Sequence, residues 1–145
     1  MKIFVASSKN TTEFKNEIVE FLKELELDVT TFDGDDEFEA AYWVAKKVQE
    51  DCKVNRGILV DAYGSVSFMV VSKFKGIICA QCNDEHSAKM TRSHNNANVI
   101  TLGSEVVTKQ TAKRIVKRFI FSEYSAGRHQ IRVDMLQKML ETEGE

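Results

Sequence analysis

The sequence predicts an α/β fold, a three-layer α/β/α sandwich around a five-stranded parallel sheet. Short apolar runs alternate five times with stretches whose apolar residues recur at helical spacing. The runs at 57–60 and 77–80 are apolar without interruption, which is typical of parallel strands covered on both faces. The 145 residues include no proline, and no repeat or low-complexity tract divides them. We therefore expect a single domain over residues 1–145.

Strands and helices are predicted to alternate five times along the chain, and a sixth helix follows the fifth. Strands are expected at 3–6, 27–32, 57–60, 77–80 and 97–102, and helices at about 14–25, 38–52, 66–74, 83–93, 110–121 and 128–140. Asn10 and Glu13 are interpreted as start signals of the first helix, and Asn83 as the cap of the fourth. The acidic cluster at 33–37 is interpreted as a solvated turn that places negative charge at the start of the second helix.

Composition and charge exclude several classes of partner. The chain carries 20 basic and 22 acidic residues, so it lacks the positive field that nucleic-acid binding requires. No apolar run is long enough to cross a membrane, and no secretion signal is visible. Three cysteines, an odd number, indicate reduced thiols and a cytoplasmic location. The histidine spacing favours neither a metal site nor a metal cofactor.

The loop after the third predicted strand is one candidate site. Ligands of parallel α/β sheets lie beyond the carboxyl ends of the strands, where this loop is expected. Residues 61–67 (DAYGSVS) form a turn of mainly small residues leading into a helix, a geometry that can present backbone N–H groups to an anion. A purely structural turn explains the same residues.

The segment after the fourth predicted helix is a second candidate. His94 stands with three asparagines in five residues, a density of side chains that can orient sugar hydroxyls. A helix end whose free carbonyls are satisfied by these side chains is the alternative. His86, at the start of the same helix, is interpreted as a surface or capping residue.

Arg128 and Arg132 form a third candidate, because a spacing of four places them on one helical face. Arg128 is predicted in the first turn of the last helix, where a cation opposes the helix dipole unless an anion compensates it. A phosphate bound by both guanidinium groups is one such anion, and a surface pair bonded to carboxylates is the alternative. Cys79 and Cys82 are interpreted as packing thiols.

Four segments together resemble one family. They are 60–64 (VDAYG), 68–76 (FMVVSKFKG), 84–97 (DEHSAKMTRSHNNA) and 127–136 (GRHQIRVDML). In this order and spacing they are similar to the ribose-5-phosphate isomerase B and galactose-6-phosphate isomerase family. The last segment is most similar to the A-type subunits within that family.

The resemblance implies a Rossmann-like fold that assembles into dimers and tetramers, and a reaction without cofactor or metal. The reaction is aldose–ketose isomerisation of a phosphorylated sugar through a cis-enediol, whose oxyanion is held by backbone N–H groups. For His94 it implies the ring-opening role, delivered with Asn95 into the pocket of a neighbouring subunit. Arg128 and Arg132 match positions associated with the substrate phosphate.

The chain also departs from the pattern of the catalytic members. Asp61 stands where the resemblance implies a cysteine base, and Tyr63 and Gly64 belong to the same altered loop. Ser8 and Lys9 replace an Asp-His pair in the first loop and are predicted to contact substrate or its phosphate. These departures are expected for an A-type subunit.

The leading hypothesis is therefore an A-type subunit that works with a cysteine-bearing B-type partner and interconverts galactose-6-phosphate and tagatose-6-phosphate. A self-sufficient homo-oligomeric isomerase that uses Asp61 as its base is one alternative. A sugar-phosphate-binding paralogue without catalysis is the other.

Overall fold

The computed structural model describes residues 1–143 and contains one parallel sheet of five strands in the order β2-β1-β3-β5-β4. The strands are β1 (Ile3–Ser8), β2 (Val29–Gly34), β3 (Arg56–Asp61), β4 (Cys79–Gln81) and β5 (Val99–Gly103). The helices are α1 (Thr12–Glu24), α2 (Glu37–Gln49), α3 (Ser65–Val71), α4 (Glu85–Asn95), α5 (Lys109–Phe121) and α6 (Gln130–Glu143). Short 3₁₀ turns lie at Lys9–Thr11 and Gly127–His129. Residues 144 and 145 of the predicted domain lie outside this description.

Side chains that alternate along the strands build two apolar cores. Ile3 and Val5 of β1 pack on one face, against buried residues of α1, α4 and α5. Phe4 and Ala6 point to the other face and pack against α2 and α3. The sheet is thus covered on both sides, and the predicted three-layer α/β architecture is confirmed.

Several predicted boundaries were wrong by a few residues. Backbone pairing continues through Ser8↔Gly34 and Asp61↔Gly103, so Ser8, Asp61 and the first residues of the acidic cluster end strands and do not lie in loops. Hydrogen bonds between strands do not require apolar side chains, so hydropathy alone did not reveal these strand ends.

Helix starts were also misplaced. The cap of α4 is Asp84 and not Asn83, because the Asp84 carboxylate accepts a hydrogen bond from the backbone N–H of Ser87 at 2.7 Å. A 3₁₀ turn replaces the predicted start of the first helix, and α1 begins at Thr12. Another 3₁₀ turn contains Arg128, which therefore precedes α6.

The direction of α4 decides at which edge of the sheet its last turn, with His94, lies. The helix leaves the carboxyl end of β4 and returns to the amino end of the parallel strand β5. Its eleven residues span roughly 16 Å. The last turn of α4 therefore lies at the amino edge of the sheet. No helix within residues 1–143 has the length and apolar character to span a membrane.

Candidate active site

The carboxylate of Asp61 occupies the anion cradle that the sequence predicted after β3. Asp61 is only 3% exposed, and its side chain accepts hydrogen bonds from three backbone N–H groups. Oδ1 accepts from Tyr63 at 3.0 Å and also from Gly64, and Oδ2 accepts from Ser67 at 3.0 Å. The loop 61–67 thus converges N–H groups on a negative charge, and that charge belongs to the chain itself.

Neighbouring strands hold this loop in place. Gly64 adopts a left-handed φ of 78°, and its carbonyl accepts a hydrogen bond from Thr101 Oγ1 at 2.6 Å. The Gln81 amide donates to the carbonyl of Tyr63 at 2.7 Å. A Cβ at Gly103 would lie 2.7 Å from the carbonyl carbon of Tyr63, so only glycine fits there. The cradle is therefore a rigid feature of the carboxyl edge.

An open cleft of about 360 Å³ lies above the cradle. Its lining includes Asp61, Val66 and the largely exposed Tyr63. The donors that would stabilise an oxyanion are already bonded to Asp61, and both oxygens of that carboxylate are engaged. In this chain the three N–H groups of the cradle are therefore engaged by its own carboxylate.

Ser8 and Lys9 lie at the same edge. The Ser8 hydroxyl is buried without a hydrogen-bond partner among the described residues. Lys9 donates to Asp35 at 2.7 Å, and this bond raises the pKa of Lys9 and lowers the pKa of Asp35. The Lys9 ammonium is thus directed toward the acidic cluster; substrate contacts by Ser8 and Lys9 remain predictions.

A second polar group lies at the amino edge, around the end of α4. Arg132 Nε donates to Asn95 Oδ1 at 3.1 Å, and Arg132 Nη2 lies 3.4 Å from the carbonyl oxygen of His94. Neither Arg128 nor Arg132 pairs with a carboxylate among the described side chains. The structure thus brings three predicted residues together: His94, Asn95 and Arg132.

His129 and Arg92 also belong to this group, although the sequence did not single them out. The rings of His129 and His94 stack with centroids 4.0 Å apart and planes 11° apart. The buried Arg92 donates to Asn96 Oδ1 and to the carbonyl of Ala97, both at 2.6 Å, and so holds the turn that follows Asn95.

Burial lowers the pKa of Arg92 to about 10, with a smaller contribution from the positive charge of Arg56. Arg92 lies four residues after the buried Ala88 and therefore on the inner face of α4. A cation at such a position in the sequence is the feature by which Arg92 could have been identified.

The two polar groups lie at opposite edges of the sheet. Asp61 ends β3 at the carboxyl edge, whereas His94 stands in the last turn of α4 at the amino edge. One chain therefore does not bring its cradle and its His94 cluster into one pocket.

The cysteines do not provide a base at either edge. Burial raises the pKa of Cys82, next to the end of β4, to about 12, with a smaller contribution from Asp84. Burial also raises the pKa of Cys79 and Cys52, so all three thiols stay protonated near neutral pH. No group of three metal-ligating side chains is present within the described part of the chain.

The chain thus combines a parallel α/β sheet with an N–H cradle at one edge and, at the other, a His, Asn and Arg cluster suited to proton transfer and to binding a phosphate. The chain belongs to the Ribose/Galactose Isomerase family, which matches residues 3–136.

Curated relatives and solved structures agree with this assignment. The chain is 49% identical to galactose-6-phosphate isomerase subunit LacA of Streptococcus mutans serotype c, over 96% of this chain and 99% of the relative. It is 45% identical to the LacA subunit of Lactococcus lactis subsp. lactis, over the same shares. Ribose-5-phosphate isomerase B of Clostridium thermocellum superposes with a TM-score of 0.93 at 30% identity, covering 99% of both chains. The Mycoplasma genitalium enzyme, solved with bound ribulose-5-phosphate, has a TM-score of 0.90 at 33% identity, covering 99% of this chain and 97% of that one.

Proposed function

We propose that this chain is the A-type subunit of a hetero-oligomeric isomerase that interconverts galactose-6-phosphate and tagatose-6-phosphate. It contributes the His94 cluster to a pocket whose cradle and cysteine base belong to a B-type subunit. The observation that carries the proposal is the occupation of this chain's own cradle by Asp61. The relatives named as subunits of galactose-6-phosphate isomerase support the choice of substrate.

The distance between the two edges supports a pocket shared between subunits. The six residues of β3 separate the edges by roughly 17 Å. A sugar phosphate is too short to contact the cradle and the His94 cluster of the same chain at once. His94 therefore acts on a substrate bound in the cradle of a neighbouring subunit.

The chemistry divides between the subunits accordingly. The His94 imidazole moves a proton between the anomeric hydroxyl and the ring oxygen, which opens the sugar, and Asn95 orients the hydroxyls. Arg128 and Arg132 bind the phosphate, which anchors the substrate away from the reacting carbons. The partner's cysteine removes the proton beside the carbonyl, and the partner's free cradle holds the oxyanion of the enediol.

The alternative in which Asp61 is the base agrees less well with the geometry. The Asp61 carboxylate already accepts hydrogen bonds from the three backbone N–H groups of the cradle. An enediol oxyanion in the same pocket would have to compete with this carboxylate for those donors and would lie beside its negative charge.

The exposed apolar stripe on α6 provides a surface for the partner. It consists of Ile131, Met135, Leu136 and Met139, and Ile131 is 72% exposed. The stripe begins next to Arg132. A partner that covers it would therefore lie beside the His94 cluster.

The proposal is tested by assaying the chain alone, a B-type subunit alone and their mixture for conversion of galactose-6-phosphate. We expect robust turnover only in the mixture, and loss of that turnover when the mixture contains the His94→Asn chain. Turnover by the lone chain that disappears in Asp61→Asn would establish the self-sufficient enzyme instead. An inactive mixture whose A-type chain binds sugar phosphate in calorimetry would establish a binding protein.

A further inference from the structure

The segment that precedes α6 is tied closely to the end of α4. Ser125 donates to the carbonyl of Ser93 through its backbone N–H at 2.9 Å and through its hydroxyl at 3.1 Å. The next residue, Ala126, has φ 51° and ψ −129°, a conformation that is unfavourable for a residue with a Cβ. This bend at Ala126 directs the following residues, 127–129, toward the carboxyl-terminal end of α4.

The bend places one histidine ring against another. The ring of His129 lies flat on the ring of His94, with 4.0 Å between centroids and 11° between planes. We infer that His129 is a positioning residue for His94: its ring fixes the plane in which His94 presents its nitrogen to a closed sugar ring. This inference rests on the proposed function, in which His94 opens the ring.

The contacts of His129 favour its neutral form. Arg132 Nη2 lies 3.3 Å from His129 Nδ1, and since a guanidinium only donates, this contact is a hydrogen bond when Nδ1 carries a lone pair. The charged or titratable groups around the ring are His94 on α4, Arg128 on its own turn and Arg132 on α6. Partial burial, followed by the charges of these three groups, lowers the pKa of His129.

A neutral ring at this position has a chemical consequence for His94. When His94 takes a proton during ring opening, the face of the neutral His129 ring stabilises the resulting imidazolium, as aromatic faces stabilise cations. A charged His129 would repel it. The flat contact also limits rotation of the His94 ring about its χ2 angle, so the reacting nitrogen keeps one direction.

The stack itself is tested without any assay of activity. The chain contains only three histidines, so NMR spectra of a histidine-ring-labelled chain are assigned with the His86→Gln and His94→Asn variants. We expect His94 ring protons shifted upfield by the ring current of His129. His129→Ala should remove this shift and His129→Phe should retain it. Identical His94 shifts in the wild-type chain and in His129→Ala would overturn the stack.

The positioning role is tested in the assembled enzyme with its B-type partner. We expect His129→Ala to lower kcat for the closed-ring substrate roughly 10- to 100-fold, with KM nearly unchanged and open-chain substrate little affected. His129→Phe should stay within about threefold of wild type, because it preserves the flat contact. A Phe variant as impaired as the Ala variant would show that the imidazole itself reacts, which overturns the positioning role.

The two experiments separate failure of this inference from failure of the proposed function. A wild-type mixture without isomerase activity would refute the proposed function and with it the positioning role, whereas the NMR shifts would still decide whether the rings stack. An active mixture in which His129→Ala is kinetically normal would overturn the inference and leave the proposed function standing.

Discussion

Asp61 and His94 lie at opposite edges of the same parallel sheet, Asp61 as the last residue of β3 and His94 in the last turn of α4. Each residue belongs to its own polar group, the first to an N–H cradle and the second to a His, Asn and Arg cluster. The sheet separates the two groups, and the proposed function therefore combines them across two subunits. The predictions below follow from this separation and from the contacts within each group.

Asp61→Ala should destabilise the chain and open the cradle to anions. Loss of the carboxylate leaves buried N–H groups without acceptors, and we expect the free energy of unfolding to fall by roughly 1–3 kcal/mol. Inorganic phosphate should then raise the melting temperature of Asp61→Ala more than that of the wild-type chain. Asp84→Ala, which removes a capping carboxylate elsewhere, is the matched control and should show no such additional gain. An equal phosphate response in wild type and Asp61→Ala would contradict the occupied cradle.

His94→Asn should affect closed-ring substrate more than open-chain substrate. Positioned acid–base groups typically contribute roughly a hundred- to ten-thousandfold, and only the closed ring needs this step. Steady-state kinetics of the mixture on both forms measures the difference. His86→Gln, on the exposed first turn of the same helix, should behave as wild type. An equal loss on both substrate forms would exclude a ring-opening role.

Arg132→Ala should mainly raise KM, since the phosphate is bound in the ground state and in the transition state alike. Arg132→Lys should recover only part of the loss, because an ammonium does not reproduce a bidentate guanidinium contact. Arg114→Ala on α5 controls for the loss of an arginine at another site. If Arg132 only stabilises the end of α4, the variants will lose melting temperature while the folded enzyme keeps normal kinetics.

The purified chain should not be a monomer. Light scattering at working concentration should return a mass well above 16.5 kDa. Met135→Glu should shift that mass toward the monomer, because it places a charge within the exposed stripe of α6. Val54→Glu changes an exposed apolar residue near the amino end of β3 and should leave the mass unchanged. A wild-type mass near 16.5 kDa, alone and with a B-type subunit, would contradict the shared pocket.

Stability should fall in acid through the ion pair between Lys15 and Asp33. The buried Lys15 ammonium lies 2.5 Å from Asp33 Oδ1, and its hydrogen bond lowers the pKa of Asp33, with a further hydrogen bond from Thr12. A carboxyl whose pKa is lowered by folding stabilises the fold above its ordinary pKa. That stabilisation is lost as the pH falls through the lowered value.

A double-mutant cycle of Lys15→Met and Asp33→Asn, followed by unfolding at neutral and acid pH, measures this effect. We expect a favourable coupling free energy near neutral pH that shrinks in acid. A coupling free energy independent of pH would contradict the assignment.

Periodicity was enough to predict the layered fold, but not the ends of its elements. The uninterrupted apolar run at 57–60 identifies β3 because both faces of that strand are buried. Asp61 was predicted in a loop although it pairs with Gly103, since a backbone ladder continues whatever the side chain is. Asp84 and Asn83 are adjacent and both can cap a helix, so only the observed bond to Ser87 distinguishes them.

The sequence by itself determined the fold class and the residue types at both edges, because apolar periodicity and local motifs are properties of neighbours along the chain. Through the family resemblance it also predicted that His94, Asn95, Arg128 and Arg132 contribute to one site. Only the tertiary structure decided that Asp61 occupies its own cradle and that His129 lies on His94. The first contact depends on the loop conformation at the end of β3, and the second depends on the bend at Ala126. The direction that the backbone takes in space is not encoded in a local pattern of residue types.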